Sequence, residues 1–145
     1  MDQAEDVGCK TIGITCNSSG KVADEAGIVI CPEVGPEVIA GSSRLKAGTA
    51  QKMVLNMIST GAMIKIGKTY ENFMIDLQAT NEKLKDRAIN IVSQIAEVSH
   101  AEALAMLMKS SWEIKVAIVA LKKNIDAPKA RLELKRQNGI LRKVI

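Results

Sequence analysis

The sequence predicts an α/β first part followed by an all-helical second part, and three observations support this fold class. Hydrophobic residues make up 47% of the 145 residues but aromatic residues only 2%, so the core must consist of aliphatic side chains. Such a core favours packed helices and buried parallel strands over a sandwich or barrel. A strand–helix–strand pattern comes first in the chain, and helical periodicity dominates from Asn81 onward.

The first part begins with a parallel α/β step. A β-rich run at residues 11–15 ends in a turn cluster, and residues 21–27 fit a short helix. Residues 28–31 form an apolar run stopped by Pro32, which is typical of a strand buried on both faces. Two strands cannot form a stable sheet alone, because each needs paired neighbours and covered faces. We therefore expect the chain to begin in the middle of a larger α/β domain.

A long helix is predicted over residues 44–67, with apolar residues in two helical stripes. The first stripe contains Ala50, Met53, Val54, Met57, Gly61 and Ile64, and the second contains Leu55, Ile58, Ala62 and Ile66. A helix that is apolar on most sides is buried in a core or against a partner chain.

The helical periodicity and short loops of residues 81–145 predict a small bundle of short helices. Ser99 and Glu102 form a capping-box motif, and Asp126 with Pro128 opens a last helix that Gly139 closes. The residues expected to face the core are Leu84, Ala88, Ile91, Val92, Ile95, Leu104, Leu107, Met108, Ile114, Ala117, Ile118 and Leu121. We assign residues 1–68 to the first domain, 69–80 to a connector and 81–145 to the bundle.

The charge is uneven along the chain, whose formal net charge is +4. Residues 1–75 carry seven Lys/Arg and eight Asp/Glu (−1), whereas residues 76–145 carry thirteen and eight (+5). A basic half can attract phosphate-rich partners, but interspersed Lys and Glu indicate mainly a solvated helix surface. The few aromatic rings exclude a stacking platform for single-stranded nucleic acid, and no reader motif is present, so we expect no nucleic-acid partner.

The cysteines and the apolar runs predict a cytoplasmic protein without a membrane segment. Cys9, Cys16 and Cys31 are odd in number and lack C-x-x-C spacing, which indicates neither a zinc site nor a disulfide framework. Residues 53–66, the longest apolar stretch, are too short and too polar to span a bilayer. The acidic start of the chain is unlike a signal peptide.

The densest candidate site lies at residues 41–52. Ser42 and Ser43 precede a helix whose first turns hold Arg44 and Lys46. Backbone N–H groups and the helix dipole favour an anion at such a position. Spacing alone slightly favours the alternative, in which a serine is simply the helix N-cap and the cations lie on the surface.

Three motifs resemble the signature of the N-acetylmuramic acid 6-phosphate etherases. They are EVGPEVIAGSSRLKAGTAQK at residues 33–52, LNMISTG at 55–61, and ATNEKL at 79–84 followed by Arg87. The glucokinase regulatory proteins share a looser form of this pattern. The resemblance implies a partial sugar isomerase (SIS) domain with parallel strands and a long helix, followed by a ubiquitin-associated-like (UBA-like) helical bundle.

The resemblance also implies an activity, namely cleavage of the D-lactyl ether of N-acetylmuramic acid 6-phosphate in cell-wall amino-sugar recycling. Elimination of lactate followed by water addition needs a proton-abstracting carboxylate and an acid, but no metal or organic cofactor. In the family the two glutamates that supply these groups lie upstream of the matched region. We therefore assign no catalytic residue here and expect a homodimer that binds a sugar phosphate.

The substrate-binding residues follow from the same resemblance. Lys83 is similar to a substrate-contacting lysine that reaches across the dimer interface in the family, although its pattern alone predicts a solvated helix-start lysine. Asn81 and Glu82 are weaker candidates, because Asn at a helix start is usually a cap. Ser42, Ser43, Arg44 and Lys46 are expected to shape the pocket wall.

Two further classes of function stay open. A non-catalytic module could bind a sugar phosphate without cleaving it, as the glucokinase regulatory proteins do. An interaction protein could act through the basic bundle.

Overall fold

The computed structural model describes residues 2–145, which form a mixed α/β chain that is mostly helical and has a small parallel sheet. This confirms the predicted fold class in outline. The helices are α1 (Asp2–Asp6), α2 (Lys21–Glu25), α3 (Lys46–Lys65), α4 (Glu82–Ala96), α5 (His100–Lys109), α6 (Ile114–Lys123), α7 (Ala127–Arg136) and a 3-10 turn (Leu141–Lys143). The strands are β1 (Ile12–Ile14), β2 (Ile28–Ile30), β3 (Thr69–Tyr70) and β4 (Phe73–Met74). Two compact units result, divided between Thr60 and Gly61, so that most of α3 belongs to the first unit.

The first unit contains the predicted parallel α/β step. β1 pairs with β2 in parallel, with Gly13 opposite Val29. Gly13 is buried, and a Cβ at this position would lie 2.8 Å from the Cβ of Ala26 and 3.0 Å from the carbonyl oxygen of Val22. Glycine is therefore required here, because it lets α2 and the residue after it pack directly on β1.

The first unit has almost no buried core in this chain. Among residues 3–60, only Gly13 and Val54 are buried. The expectation that the second strand is buried on both faces is wrong for the chain as described, because Ile28 and Val29 are exposed. The apolar residues of β2 are those of a covered parallel strand, but the described residues of this unit leave Ile28 and Val29 exposed and Ile30 half-buried.

Helix α3 matches the predicted long helix within two residues at each end. Val54 is its only buried residue. Residues of both predicted stripes are exposed, including Met57 at 62% and Leu55 at 50%. The apolar surface that predicts burial is thus present along α3, and most of it is uncovered.

The second unit is a four-helix bundle with a short hairpin attached. β3 and β4 pair antiparallel around a two-residue turn, with Tyr70 opposite Phe73. Periodicity did not predict this hairpin, because its strands have only two residues each. The buried core consists of Ile75, Ala88, Ile91, Val92, Ile95, Ala103, Leu107, Ile114, Val116, Ala117, Ile118, Val119, Ala120, Ala127, Ala130, Leu134 and Leu141.

The predicted helix ends in the second unit are confirmed by their hydrogen bonds. The hydroxyl of Ser99 accepts from the Glu102 N–H while the Glu102 carboxylate accepts from the Ser99 N–H, which completes the capping box. The Asp126 carboxylate accepts from the Lys129 N–H at 2.8 Å. Beyond α7, Gly139 has φ +71°, a left-handed conformation that ends the helix as predicted.

The predicted inward face of α5 is only partly correct. Leu107 is fully buried, but Leu104 and Met108 are exposed. The buried residues of α5 and its C-cap are Ala103, Leu107 and Ser110, which recur at i, i+4 and i+7. Leu104 and Met108 each lie one position further along the helix, which rotates them by about 100° towards solvent.

Replacement of Leu107 by alanine should destabilise the second unit by about 2–5 kcal/mol, because it leaves a cavity where a fully buried side chain was. The change can be measured by denaturant unfolding followed through Trp112, the sole tryptophan, which packs against the same core. Leu132→Ala is the matched control, since Leu132 is 50% exposed and its loss should cost less than about 0.5 kcal/mol. Equal unfolding midpoints for the two variants would contradict this assignment of the core.

Candidate functional site

The start of α3 is capped by a carboxylate from the chain itself. Glu37 accepts hydrogen bonds from the N–H of Lys46 at 2.9 Å and from the N–H of Ala47 at 3.0 Å. The Ala47 and Lys46 N–H groups, which donate to the carboxylate, together lower the pKa of Glu37. The sequence left open whether this helix N-terminus attracts an external anion or is simply capped, and in the structure an internal carboxylate caps it.

The remaining candidates in the first unit lie on the loop before α3. Lys46 donates from its Nζ to the carbonyl oxygen of Pro36 at 2.9 Å, so its ammonium is turned back onto the loop. Ser43 and Arg44 are exposed and Ser42 is half-buried. Within residues 3–145, the Arg44 guanidinium forms no ion pair.

Asn81 and Glu82 have local structural roles at the start of α4. The Asn81 side chain accepts from the Leu84 N–H at 2.9 Å and is the helix N-cap. Glu82 pairs with the ammonium of Lys85 at 2.8 Å, one turn along the same helix. Both side chains thereby contact the helix itself, so within residues 79–84 Lys83 is the charged side chain that forms no ion pair with the described part of the chain.

Lys83 lies in a groove of about 610 Å³ along α4. This α4 groove is lined by Asn72, Phe73, Lys83, Asp86, Arg87, Asn90, Ile91 and Gln94. Four of these residues, Lys83, Arg87, Asn90 and Gln94, follow the spacing i, i+4, i+7 and i+11, so they share one helix face. No ion pair is recorded for Lys83 or Arg87 within the described part of the chain.

The α4 groove is suited to a polar anion. Its lining contains two cations one helical turn apart, Lys83 and Arg87, and one carboxylate, Asp86. A guanidinium binds phosphate oxygens bidentately and an ammonium adds a point charge, while the amides of Asn90 and Gln94 can donate and accept hydrogen bonds. One carboxylate does not provide the acid and base pair that an elimination requires.

The sequence motifs indicate only part of this groove. They include Lys83 and Arg87 but not Asn90 and Gln94. The polar spacing along α4 is visible in the sequence and could have indicated them. Asn72 and Phe73 could not be found in this way, because they belong to the hairpin and meet α4 only in the folded unit.

Within residues 3–145, no cluster of three or more His, Cys, Asp or Glu side chains is placed to hold a metal ion. None of the helices described here is both long enough and apolar enough to cross a membrane.

The comparisons with known proteins agree with the resemblance drawn from the motifs. Residues 71–116 match a family model described as the C-terminal lid domain of glucokinase regulatory protein. The N-acetylmuramic acid 6-phosphate etherases of Yersinia pestis (strain Pestoides F) and Yersinia pseudotuberculosis serotype O:1b (strain IP 31758) are each 50% identical to this chain over 139 residues. The matched region is 96% of this chain and 47% of each relative. The chain therefore spans about half the length of the curated relatives it matches.

Titration of Glu37 should be visible in the backbone amides at the start of α3. Because the pKa of Glu37 is lowered by folding, its capping contribution is present at neutral pH and is lost as the pH falls through the lowered value. The amide resonances of Lys46 and Ala47 should shift with a midpoint below that of an unperturbed glutamate, as measured by NMR. Glu37→Gln should remove this titration and Glu33→Gln, in the same exposed loop, should preserve it. A midpoint at or above the usual glutamate value would contradict the cap.

Proposed function

We propose, on the premise of its similarity to N-acetylmuramic acid 6-phosphate etherases along nearly its whole length, that this chain supplies part of the substrate site of such an etherase. The proposed reaction is cleavage of the D-lactyl ether of the sugar phosphate to N-acetylglucosamine 6-phosphate and D-lactate, by elimination and then hydration. The observation that carries the proposal is a groove, inside the region matched by the etherases, that presents two cations with no ion-pair partner among residues 3–145.

The α4 groove supports phosphate binding by physical argument as well. A sugar 6-phosphate is close to a dianion at neutral pH, and Lys83 with Arg87 would neutralise it by charge-assisted hydrogen bonds. Asn90 and Gln94 lie further along the same helix face. Their side-chain amides would donate hydrogen bonds to, and accept them from, the hydroxyls or the acetamido group of the sugar. Asn81 and Glu82 would act indirectly, by fixing the helix turn that carries Lys83.

By the same similarity, the loop before α3 in the first unit would shape part of the substrate pocket wall of the whole etherase. Ser42, Ser43 and Arg44 offer hydroxyl and guanidinium donors from half-buried or exposed positions on this loop. Lys46 would contribute through the loop that it fixes to Pro36 rather than through a free ammonium. Glu37 would keep the N-terminus of α3 occupied, so this loop would contribute through its side chains and not through the backbone N–H groups of the helix.

The finer fold assignment is part of the same proposal. The first unit would belong to a SIS domain, since its parallel strands and its long α3 carry apolar surface that this unit does not cover. The bundle would be UBA-like, with domain limits at residues 1–68, 69–80 and 81–145. A homodimer would let Lys83 serve the site of the neighbouring subunit, and a cytoplasmic location would fit the three free cysteines.

Catalysis by this chain would depend on groups in the part of the etherase that it does not match. The α4 groove contributes one carboxylate, and the Glu37 carboxylate is held by two backbone N–H groups. A non-catalytic regulatory module is the alternative. It is less favoured because the similarity to named etherases covers 96% of the chain, whereas the regulatory-protein model covers residues 71–116.

Lys83→Met should weaken binding of N-acetylglucosamine 6-phosphate by roughly tenfold or more, the effect of losing one hydrogen bond to a charged group. The affinity can be measured by NMR titration, which detects millimolar binding, with shifts expected along α4. Lys109→Met is the matched control, because Lys109 is an exposed lysine in the last turn of α5 outside the groove. Equal affinity of both variants would exclude Lys83 from the site.

The remaining part of the Yersinia pestis etherase should restore activity when it is co-expressed with this chain. We expect release of D-lactate from the sugar phosphate by the combination and none by this chain alone. Met57→Glu should prevent assembly, because it places a charge on the exposed apolar surface of α3, whereas Lys52→Glu should not. Release of D-lactate by the unassisted chain would contradict the assignment of catalysis to the unmatched part.

A further inference from the structure

The β3–β4 hairpin forms one wall of the α4 groove, so the width of the groove depends on what holds the hairpin. Asn72 and Phe73 line the hairpin side, and Lys83 and Arg87 lie on the helix side. A hairpin with two residues in each strand is not stable by itself. Its position must therefore come from contacts with the rest of the second unit.

Apolar contacts provide only part of this attachment. Tyr70 and Phe73 are half-buried and pack against the core. The turn between them contains Glu71 at φ +50°, a left-handed conformation that is uncommon for a residue with a side chain. A conformation of this kind persists when neighbouring contacts hold it.

Arg142 holds the turn of the hairpin. Its Nη2 donates to Oε1 of Glu71 at 2.9 Å, and its Cζ lies 5.5 Å from the centre of the Tyr70 ring. Leu141, the neighbouring residue in the 3-10 turn, is fully buried and fixes that turn on the core. The C-terminal segment is thereby connected to the end of the hairpin that is furthest from its base.

The base of the hairpin is held by three charged residues, which we call the Asp76 cluster. The Asp76 carboxylate pairs with Lys68, just before β3, and lies 3.4 Å from Nζ of Lys115 on α6. Nζ of Lys115 also donates to the carbonyl oxygen of Gly139 at 3.1 Å, and its side chain is only 15% exposed. Partial burial opposes ionisation of Asp76, but the hydrogen bonds and charges of the two lysines outweigh it and lower its pKa.

We infer that Asp76 and Arg142 are positioning residues, which hold the hairpin at its base and at its turn. They thereby place the wall of the α4 groove against which a sugar phosphate binds. The inference rests on the proposed function for the identity of the ligand, but the attachment of the hairpin stands apart from it. Exposed ion pairs such as Glu71–Arg142 contribute little to global stability. Loss of Arg142 should therefore change the groove more than it changes unfolding.

The test compares Asp76→Asn and Arg142→Met in the full 145-residue chain. Hydrogen exchange at residues 69–74 should become faster in both variants, because the hairpin opens more often. Affinity for N-acetylglucosamine 6-phosphate, measured by NMR titration, should fall at least about threefold, the lower range for coupling between contacting residues. Arg142→Lys, which keeps a cation beside Glu71, should restore most of the affinity.

Arg131→Met is the matched control, because Arg131 forms an exposed pair with Glu113 at 2.6 Å elsewhere in the second unit. It should leave both the hydrogen exchange of the hairpin and the sugar-phosphate affinity unchanged. The midpoint of denaturant unfolding, followed through Trp112, should be similar for Arg131→Met and Arg142→Met.

Unchanged exchange at residues 69–74 in both test variants would overturn the attachment. Faster exchange with unchanged affinity would overturn the positioning role. Failure of the unsubstituted chain to bind the sugar phosphate would instead contradict the proposed function, and with it the ligand that this wall receives.

Discussion

Burial of α6 is the interaction on which the second unit depends. Ile114 and residues 116–120 are all buried, and α4, α5 and α7 each pack against this helix. A helix buried on nearly all sides cannot stand without its neighbours, so the bundle forms as a unit around it. Lys115 is the half-buried exception in this run, and it carries the ammonium that reaches Asp76 and Gly139. The hairpin and the C-terminal turn are thus attached to the most buried element of the unit.

In the first unit, by contrast, most of the apolar surface is exposed to solvent. Its strands and α3 contain the aliphatic residues of a buried α/β layer, but only Gly13 and Val54 are buried among residues 3–60. Exposed apolar surface of this extent is typical of an interaction site in soluble proteins. The local structure nevertheless forms as the sequence predicts. Gly13 has no side chain to prevent α2 from packing on β1, and Glu37 caps α3.

Two helix starts illustrate why a dipole alone does not identify a ligand site. At α3 the exposed N–H groups are taken by Glu37, and at α4 the Leu84 N–H is taken by the Asn81 side chain. What distinguishes the α4 groove is the presence of Lys83 and Arg87 on one face with no recorded ion-pair partner in the described residues. An anionic ligand can form charge-assisted hydrogen bonds with cations that are not already paired inside the chain.

The sequence by itself determined the element types, the helix ends and the motifs that carry the family resemblance, because these depend on residues close together in the chain. The capping residues Ser99 and Asp126 and the glycine at 139 acted as their local chemistry predicts. Tertiary structure decided which predicted apolar residues are covered, leaving Leu104, Met108 and most of α3 exposed. It also decided the hairpin and its contribution to the α4 groove, since residues far apart in sequence meet there only after the helices pack.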